Sequence, residues 1–504
     1  MYALPVRRAA AAGLIAVGVV VLAGALARGG GSTPGAGAAV TPTWDDVAPI
    51  FAAKCASCHR AGGVAPFSIT SPLDAKAYAP AILRMTRSGA MPPWMPGADS
   101  PAFLGSSRRI LSADEKFLIA SWVRGGARLG SARPITPLAG GGDAPGTTIT
   151  LTPKRAYTPH VISGSSDDYH CMLLDPKLSQ NMFVTSAVVR PQRSDLVHHV
   201  ILFEATGENA TEARRLDAAS GGKGWTCFGG PQLTETRASA GNAASDRLGS
   251  PQWISAWVPG HATNDLPSGT GVLLHSDAVV VMQIHYNLLH AGHAHVAKPD
   301  RSSAVLRLVP AAGSALTPLD TYLAPAPVEL PCPTGTHSPL CSRDVAYRNE
   351  VTKYGQDAAF ISVGLLFLCK KTLADYPQQV GDARSVGTSC DRTINRPLRI
   401  YGVAGHMHLR GVDIRIELNP GTPHAQTLLH IPHWDFHWQD AYYLEHPVDA
   451  DIGDTIRVSC SFDNARSAQP VVGGKRLPPR YVLWGEGTTD EMCLGLLQVA
   501  TRAP

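Results

Sequence analysis

Apolar positions along the chain follow two different rhythms. Between Thr43 and Gly126 they recur at three and four: Val47, Ile50, Phe51 and Cys55 follow Thr43, Asp45 and Asp46, and Phe117, Leu118, Trp122 and Val123 follow Ser112 and Glu115. Each run reads as an amphipathic helix with its own start signal, and the second carries a capping-box pair and stops at Gly125-Gly126. Past residue 146 that period fades. NMFVTSAVV, LVHHVILFE, AVVVMQIHYNLL, AVLRLV, ISVGLLFL, LRIYGVAG, VDIRIEL and TIRVSC are short, rich in β-branched residues and often alternating. They predict strands, and the economical arrangement is two consecutive β-sandwiches behind a small all-α unit: a mainly β protein. The patternless stretch VPAAGSALTPLD marks a boundary within 310–325, and no period of repeat-protein length recurs.

Composition adds limits. The 504 residues suit about three domains at about 150 residues each. Lys+Arg 44 against Asp+Glu 40 gives +4, too little and too scattered to predict a nucleic-acid partner. Arg7 and Arg8 precede an uncharged run from Ala9 to Ala27 that ends Ala25-Leu26-Ala27, the layout of a secretory signal peptide. Export to the periplasm or the medium is the expectation, and an uncleaved anchor stays open because the run is nearly long enough to span a membrane. The expected order is signal or anchor 1–27, flexible linker 28–42, helical unit 43–130, Pro/Gly linker 131–146, first sandwich 147–315 and second sandwich 316–504.

The ten cysteines divide by context. Cys55-Ala56-Ser57-Cys58-His59 is the C-x-x-C-H pattern of c-type haem attachment: thiols one helical turn apart can both form thioethers to haem vinyls, and His59 comes under the iron. GAMPPWMPG offers Met91 or Met95 as the opposite axial ligand, with Met85 as a third choice and Met91 favoured by its place ahead of Pro92-Pro93. The other eight, an even number in an exported chain, read as four disulfides.

Histidines supply a second chemistry. His198-His199, His285, His406 and His408 all lie in strand-like segments. On a strand His406 and His408 point to the same face and can share one metal, whereas His198 and His199 can do so only at a strand end or bulge. Imidazole suits copper, zinc, iron and nickel, but the thioether of Met492 in GTTDEMC selects copper.

DDYHCMLL, LVHHVILFE, QIHYN, GHMHLRG and GTTDEMC occur in the order seen in copper type II, ascorbate-dependent monooxygenases, the family of peptidylglycine α-hydroxylating and dopamine β-monooxygenases, which the chain resembles over roughly 150–500. The resemblance implies jelly-roll sandwiches, a copper site for electrons at His198, His199 and His285, and a copper site for O2 and substrate at His406, His408 and Met492. It also implies the disulfides Cys171–Cys227 and Cys460–Cys493. Elimination then pairs Cys332 with Cys341 and Cys369 with Cys390.

Departures from the family matter. Where the peptide-amidating enzyme reads a substrate carboxylate, this sequence has Ala404, Leu494 and Leu496, which points to an apolar or aromatic substrate. A cysteine usual after the HH segment is also absent, since LFEAT stands there.

Inserting one atom of O2 into a C–H bond and reducing the other to water takes two external electrons, and each copper stores one. The implied scheme is a monooxygenase in which haem held by Cys55, Cys58, His59 and Met91 reduces the His198/His199/His285 copper, with ascorbate or another donor upstream. Expected partners are O2, a small substrate and a periplasmic electron donor, with the membrane involved only through an uncleaved N-terminus. Two other classes stay open: a haem/copper electron-transfer or copper-binding protein without turnover, which would lack a substrate cleft, and a zinc hydrolase using Asp413 or Glu417 as base. His433 and His437 in HWDFHWQDAYYL read as part of an aromatic strand walling a core or cleft, and His290, His293 and His295 as a polar loop.

Overall fold

The computed structural model describes residues 41–502 apart from 62, 64, 137–143, 161–166, 234–251, 259–263, 289–297, 382–384 and 473. The signal or anchor, most of the first linker, and His290, His293 and His295 lie outside these residues. No described helix is long and apolar enough to cross a membrane.

Both expected helices form, with their caps. Thr43 and Asp46 close a capping box ahead of Trp44–Lys54, and Ser112 and Glu115 close another ahead of Ala113–Arg124. Their apolar faces meet through Trp44, Phe51 and Trp122, with Phe51 edge-on to both tryptophans at 5.5 and 5.7 Å. Between them lie two further helices, Pro72–Ala77 and Ala79–Ser88, which the pattern did not announce. Pro72 and Pro80 sit in their first turns, where a missing N–H costs nothing.

The remainder is two β-sandwiches. In the first, a sheet ordered Trp225–Thr226, Asp167–Leu174, Val279–Asn287, Val197–Ala205, Trp253–Trp257 faces another built around Ser303–Pro310, Met182–Arg190 and Thr270–Leu274. Val200, Leu202, Val280, Met282 and Ile284 from one sheet and Val184, Ala304 and Leu306 from the other share one core. In the second, Asp320–Ala326, Cys493–Thr501, Leu398–His406 and Ala441–Ala450 form one sheet, and Val386–Thr393, Thr455–Phe462, Gly411–Leu418 and Gln426–Ile431 the other. Alternation along Thr455–Phe462 buries Ile456, Val458, Cys460 and Phe462 against Ile414 and Ile416. All four disulfides are formed as expected: Cys171–Cys227, Cys332–Cys341, Cys369–Cys390 and Cys460–Cys493.

One strand assignment fails. ISVGLLFL belongs to the helix Gln356–Leu368, which packs beside Arg343–Tyr354. A continuous apolar run does not distinguish a buried strand from a buried helix, and here the preceding Gln-Asp-Ala-Ala-Phe extends it to helical length. HWDFHWQDAYYL is likewise not one strand: Phe436–Trp438 form a single 3-10 turn, and the strand begins only at Ala441.

The helical unit docks on the second sandwich. Phe103 is part of that sandwich's core, with Trp94 and Met95 packed against it. Backbone bonds join Gly97 N–H to His430 O at 2.7 Å and Leu104 N–H to Tyr443 O at 2.8 Å, and Asp99 pairs with both Arg415 and His430.

Candidate functional site

Val197–Ala205 and Val279–Asn287 pair antiparallel, with His199 opposite His285, and the register slips between Val197 and His199. That bulge lets two adjacent histidines turn toward one point. The nitrogens of His198, His199 and His285 all lie within 4.8 Å of one another.

His285 is fixed from behind. Asp167 Oδ1 holds its Nε2 at 2.8 Å, and Tyr169 stacks flat on its ring at 4.2 Å. The pairing commits Nε2–H to the carboxylate and leaves Nδ1 as the free donor atom.

The second set begins where the strand Leu398–His406 ends. His406 and His408 have ring centroids 5.1 Å apart, and Met492 lies in the turn before Cys493–Thr501. His406 Nδ1–H donates to Gln439 Oε1 at 2.5 Å, which leaves its Nε2 for a metal. Glu491 accepts from the backbone N–H groups of His408 and Arg410, locking the H-x-H loop to the methionine turn.

The same turn reaches the first sandwich. Thr488 donates from both N–H and Oγ1 to Asp167, the carboxylate that holds His285, and Tyr169 O–H donates to Glu486 O at 2.7 Å. The two sets therefore stand face to face, His199 and His406 being 6.1 Å apart. Phe436 touches both: it stacks on His198 at 4.2 Å and lies 5.8 Å from His408.

Burial pushes all four imidazoles at His198, His199, His406 and His408 down, His406 to about 4, and neighbouring histidines add to the effect. Neutral imidazole is the metal-binding form. The Nδ1 atoms of His198, His285 and His408 are buried with no partner among the described residues. A metal would satisfy such donors, so the residues fit copper. Asp413, considered as a hydrolytic base, is taken up by His430 Nε2 at 2.7 Å.

The haem pattern is also in a fitting place. Cys55 caps the first helix, and Cys55 and Cys58 stand outside the four disulfides. His59 Nδ1 lies 3.3 Å from Phe67 O, an arrangement that frees Nε2 for iron. Of the three methionines, Met95 packs against the second sandwich, while Met91 follows the helix Ala79–Ser88 and its N–H bonds Met85 O.

Between the sets lies a cavity of about 140 Å³, bounded by His199, His406 and Met492 and walled by Trp253, Trp257, Leu494 and Leu496. Ala404 also lines it. The positions where the amidating enzyme reads a carboxylate are thus cavity wall, and apolar.

Sequence reasoning missed the residues that hold the ligands. Asp167 and Glu491 stand inside quoted motifs but gave no sign of their targets, and Gln439 and Phe436 were hidden in a stretch read as plain strand.

Two sandwiches with opposed histidine sets beside a C-x-x-C-H helix define a metal-dependent oxidoreductase. Residues 361–498 match the family model of the copper type II ascorbate-dependent monooxygenase C-terminal domain, and residues 42–102 that of cytochrome C oxidase, cbb3-type, subunit III. The chain carries a copper monooxygenase domain fused behind a cytochrome c domain, an oxygenase with copper and haem. No curated protein matches it. Among solved structures, similarity is weak: the infectious bursal disease virus Gx strain structure is 9% identical over 71% of this chain and 72% of that one, with a TM-score of 0.16. An aminopeptidase from a marine sediment Thaumarchaeota archaeon is 12% identical over 37% and 33%, with a TM-score of 0.13.

Proposed function

We propose that the protein hydroxylates a C–H bond of a small apolar or aromatic substrate with O2, drawing electrons through its own c-type haem. The net reaction is R–H + O2 + 2 e⁻ + 2 H⁺ → R–OH + H2O, with ascorbate or another one-electron donor as the outside source. Copper held by the two sets supplies one-electron storage and O2 activation, and haem a one-electron entry.

The observation that carries this reading is the apolar cavity that opens on His406 and Met492. A carrier or copper store without turnover needs no such space. His406, His408 and Met492 offer a soft, reactive-side donor set, whereas His198, His199 and His285 form the storage set. Leu494, Leu496 and the tryptophans exclude water from the reacting carbon.

The docking of the helical unit supports the relay. Arg109 donates to Pro93 O at 3.1 Å, lies over Trp94 and pairs with Asp440. Asp440 adjoins Gln439, which holds His406 and whose Nε2 donates to Phe436 O at 3.0 Å. This protein path leads to the His406 side and, through Phe436, to His198, a route by which the haem would reduce copper held by His198, His199 and His285. Four disulfides fit an oxidising compartment, and we assign the protein to the periplasm or the medium.

The test is metal analysis with optical and EPR spectra on wild type, Met492→Ala and His285→Ala, followed by assay for O2-dependent product. Two type II coppers per covalent haem, one lost in each variant, are expected. Zinc in their place, or one copper indifferent to both substitutions, would overturn the reading.

A further inference from the structure

One acidic side chain in the cavity has no part in holding either histidine set. Glu486 lines the cavity, is 7% exposed, and its carboxyl accepts from the backbone N–H of Gly229, itself a wall residue. Its main chain is fixed by Tyr169 O–H, so the carboxyl is held at that wall from two sides.

Three other polar lining groups are engaged. Gln439 Oε1 accepts from His406, Asp440 pairs with Arg109, and Gln283 Nε2 donates to Gly230 O at 3.2 Å. Two lining groups remain to meet a ligand among largely apolar walls: the Glu486 carboxyl and the Trp484 indole N–H, which is buried with no partner among the described residues.

We propose that Glu486 reads the substrate, hydrogen-bonding the uncharged hydroxyl head of a single-ring phenol or alcohol. This rests on the hydroxylase reading of the same cavity and names its substrate class.

Three observations set that class. The volume of about 140 Å³ is close to the roughly 150 Å³ that admits one benzene, so the body is one ring. An anionic head finds no Lys or Arg among the lining residues. A cationic head would be stripped of water with one acceptor to replace it, a poor exchange in an apolar site. Burial also pushes Glu486 up to about 7, which favours the neutral acid and a partner that both donates and accepts.

The experiment is equilibrium dialysis under argon of phenol, anisole and benzylammonium against the copper- and haem-loaded full chain, in wild type, Glu486→Gln and Glu486→Leu. Phenol should bind wild type about three- to tenfold more tightly than anisole, the worth of one net hydrogen bond. That ratio should fall to near unity in Glu486→Leu, with anisole binding unchanged or tighter, and return in part in Glu486→Gln. Copper content should be equal in all three.

A phenol preference that survives in Glu486→Leu, or benzylammonium outcompeting phenol on wild type, overturns the assignment. The two readings fail separately. The expected ratios without O2-dependent product would sink the hydroxylase and leave the subsite, whereas two coppers and product formation without the ratios would sink the subsite alone.

Discussion

The two histidine sets are built by different means. In the first, all three imidazoles project from neighbouring strands of one sheet, and a buried carboxylate and a stacked tyrosine fix His285 from behind. The second joins a strand end to a turn more than eighty residues away, and its geometry depends on Glu491 accepting from the H-x-H loop and on Gln439 holding His406. The first set meets the cavity through His199, the second through His406 and Met492. A site framed by strands suits electron storage with little rearrangement; one assembled from loops beside a cavity suits a changing ligand.

Removal of the one soft donor should separate the sets most sharply. Met492→Ala is expected to lower product formation by more than the roughly 100-fold that loss of an outer partner costs, with the first copper retained. Paired turnover and EPR measurements check this. If both coppers disappear together, the sets are one unit and the comparison breaks.

Next in size is Asp167→Asn, which weakens the acceptor behind His285. Copper affinity at the first set should fall about 10- to 100-fold in chelator competition, with a smaller fall at the second set through Thr488. Gln439→Leu is the mirror experiment: about tenfold weaker copper at the second set. Haem re-oxidation in anaerobic stopped flow should be slower as well. Arg109→Ala should slow haem re-oxidation while leaving copper content intact, which tests the docking path apart from the ligands.

The smallest expected effect concerns acid stability of the first sandwich. His170, buried and stacked on Tyr157, is pushed by burial down to about 4 from an ordinary value of 6.5. Between pH 6.5 and 4 the unfolded chain takes up a proton that the folded chain refuses, so stability present above pH 6.5 is lost as pH falls. His170→Phe should flatten that slope, narrowing the gap in Tm between pH 7 and pH 5 by about 2 °C.

How much of this was legible beforehand follows from the range of the forces involved. Caps, helix periods and strand alternation are local, and they announced Trp44–Lys54, Ala113–Arg124 and most sandwich strands. Local rules failed where an apolar run fits either structure, as at Gln356–Leu368, and where nothing apolar recurs, as at the polar helix Gly207–Ala219. His406 and His408 were expected to share a strand face, but the strand ends at His406 and the loop beyond it brings His408 alongside; His198 and His199 needed a bulge, and strand pairing decides where a register slips.

The sequence by itself determined which atoms are available: two thiols and a histidine with haem spacing, five histidines and a methionine able to bind copper, and apolar residues where a charged reader would stand. Only the tertiary structure decided which of those atoms meet. The helical unit's docking on the second sandwich, the 6.1 Å approach of His199 to His406, and the links of Asp167 to Thr488 and of Gln439 to His406 join residues as far apart in the chain as Leu104 and Tyr443. Such contacts carry no local signature, because each is fixed by the packing of whole sheets and not by neighbours along the chain.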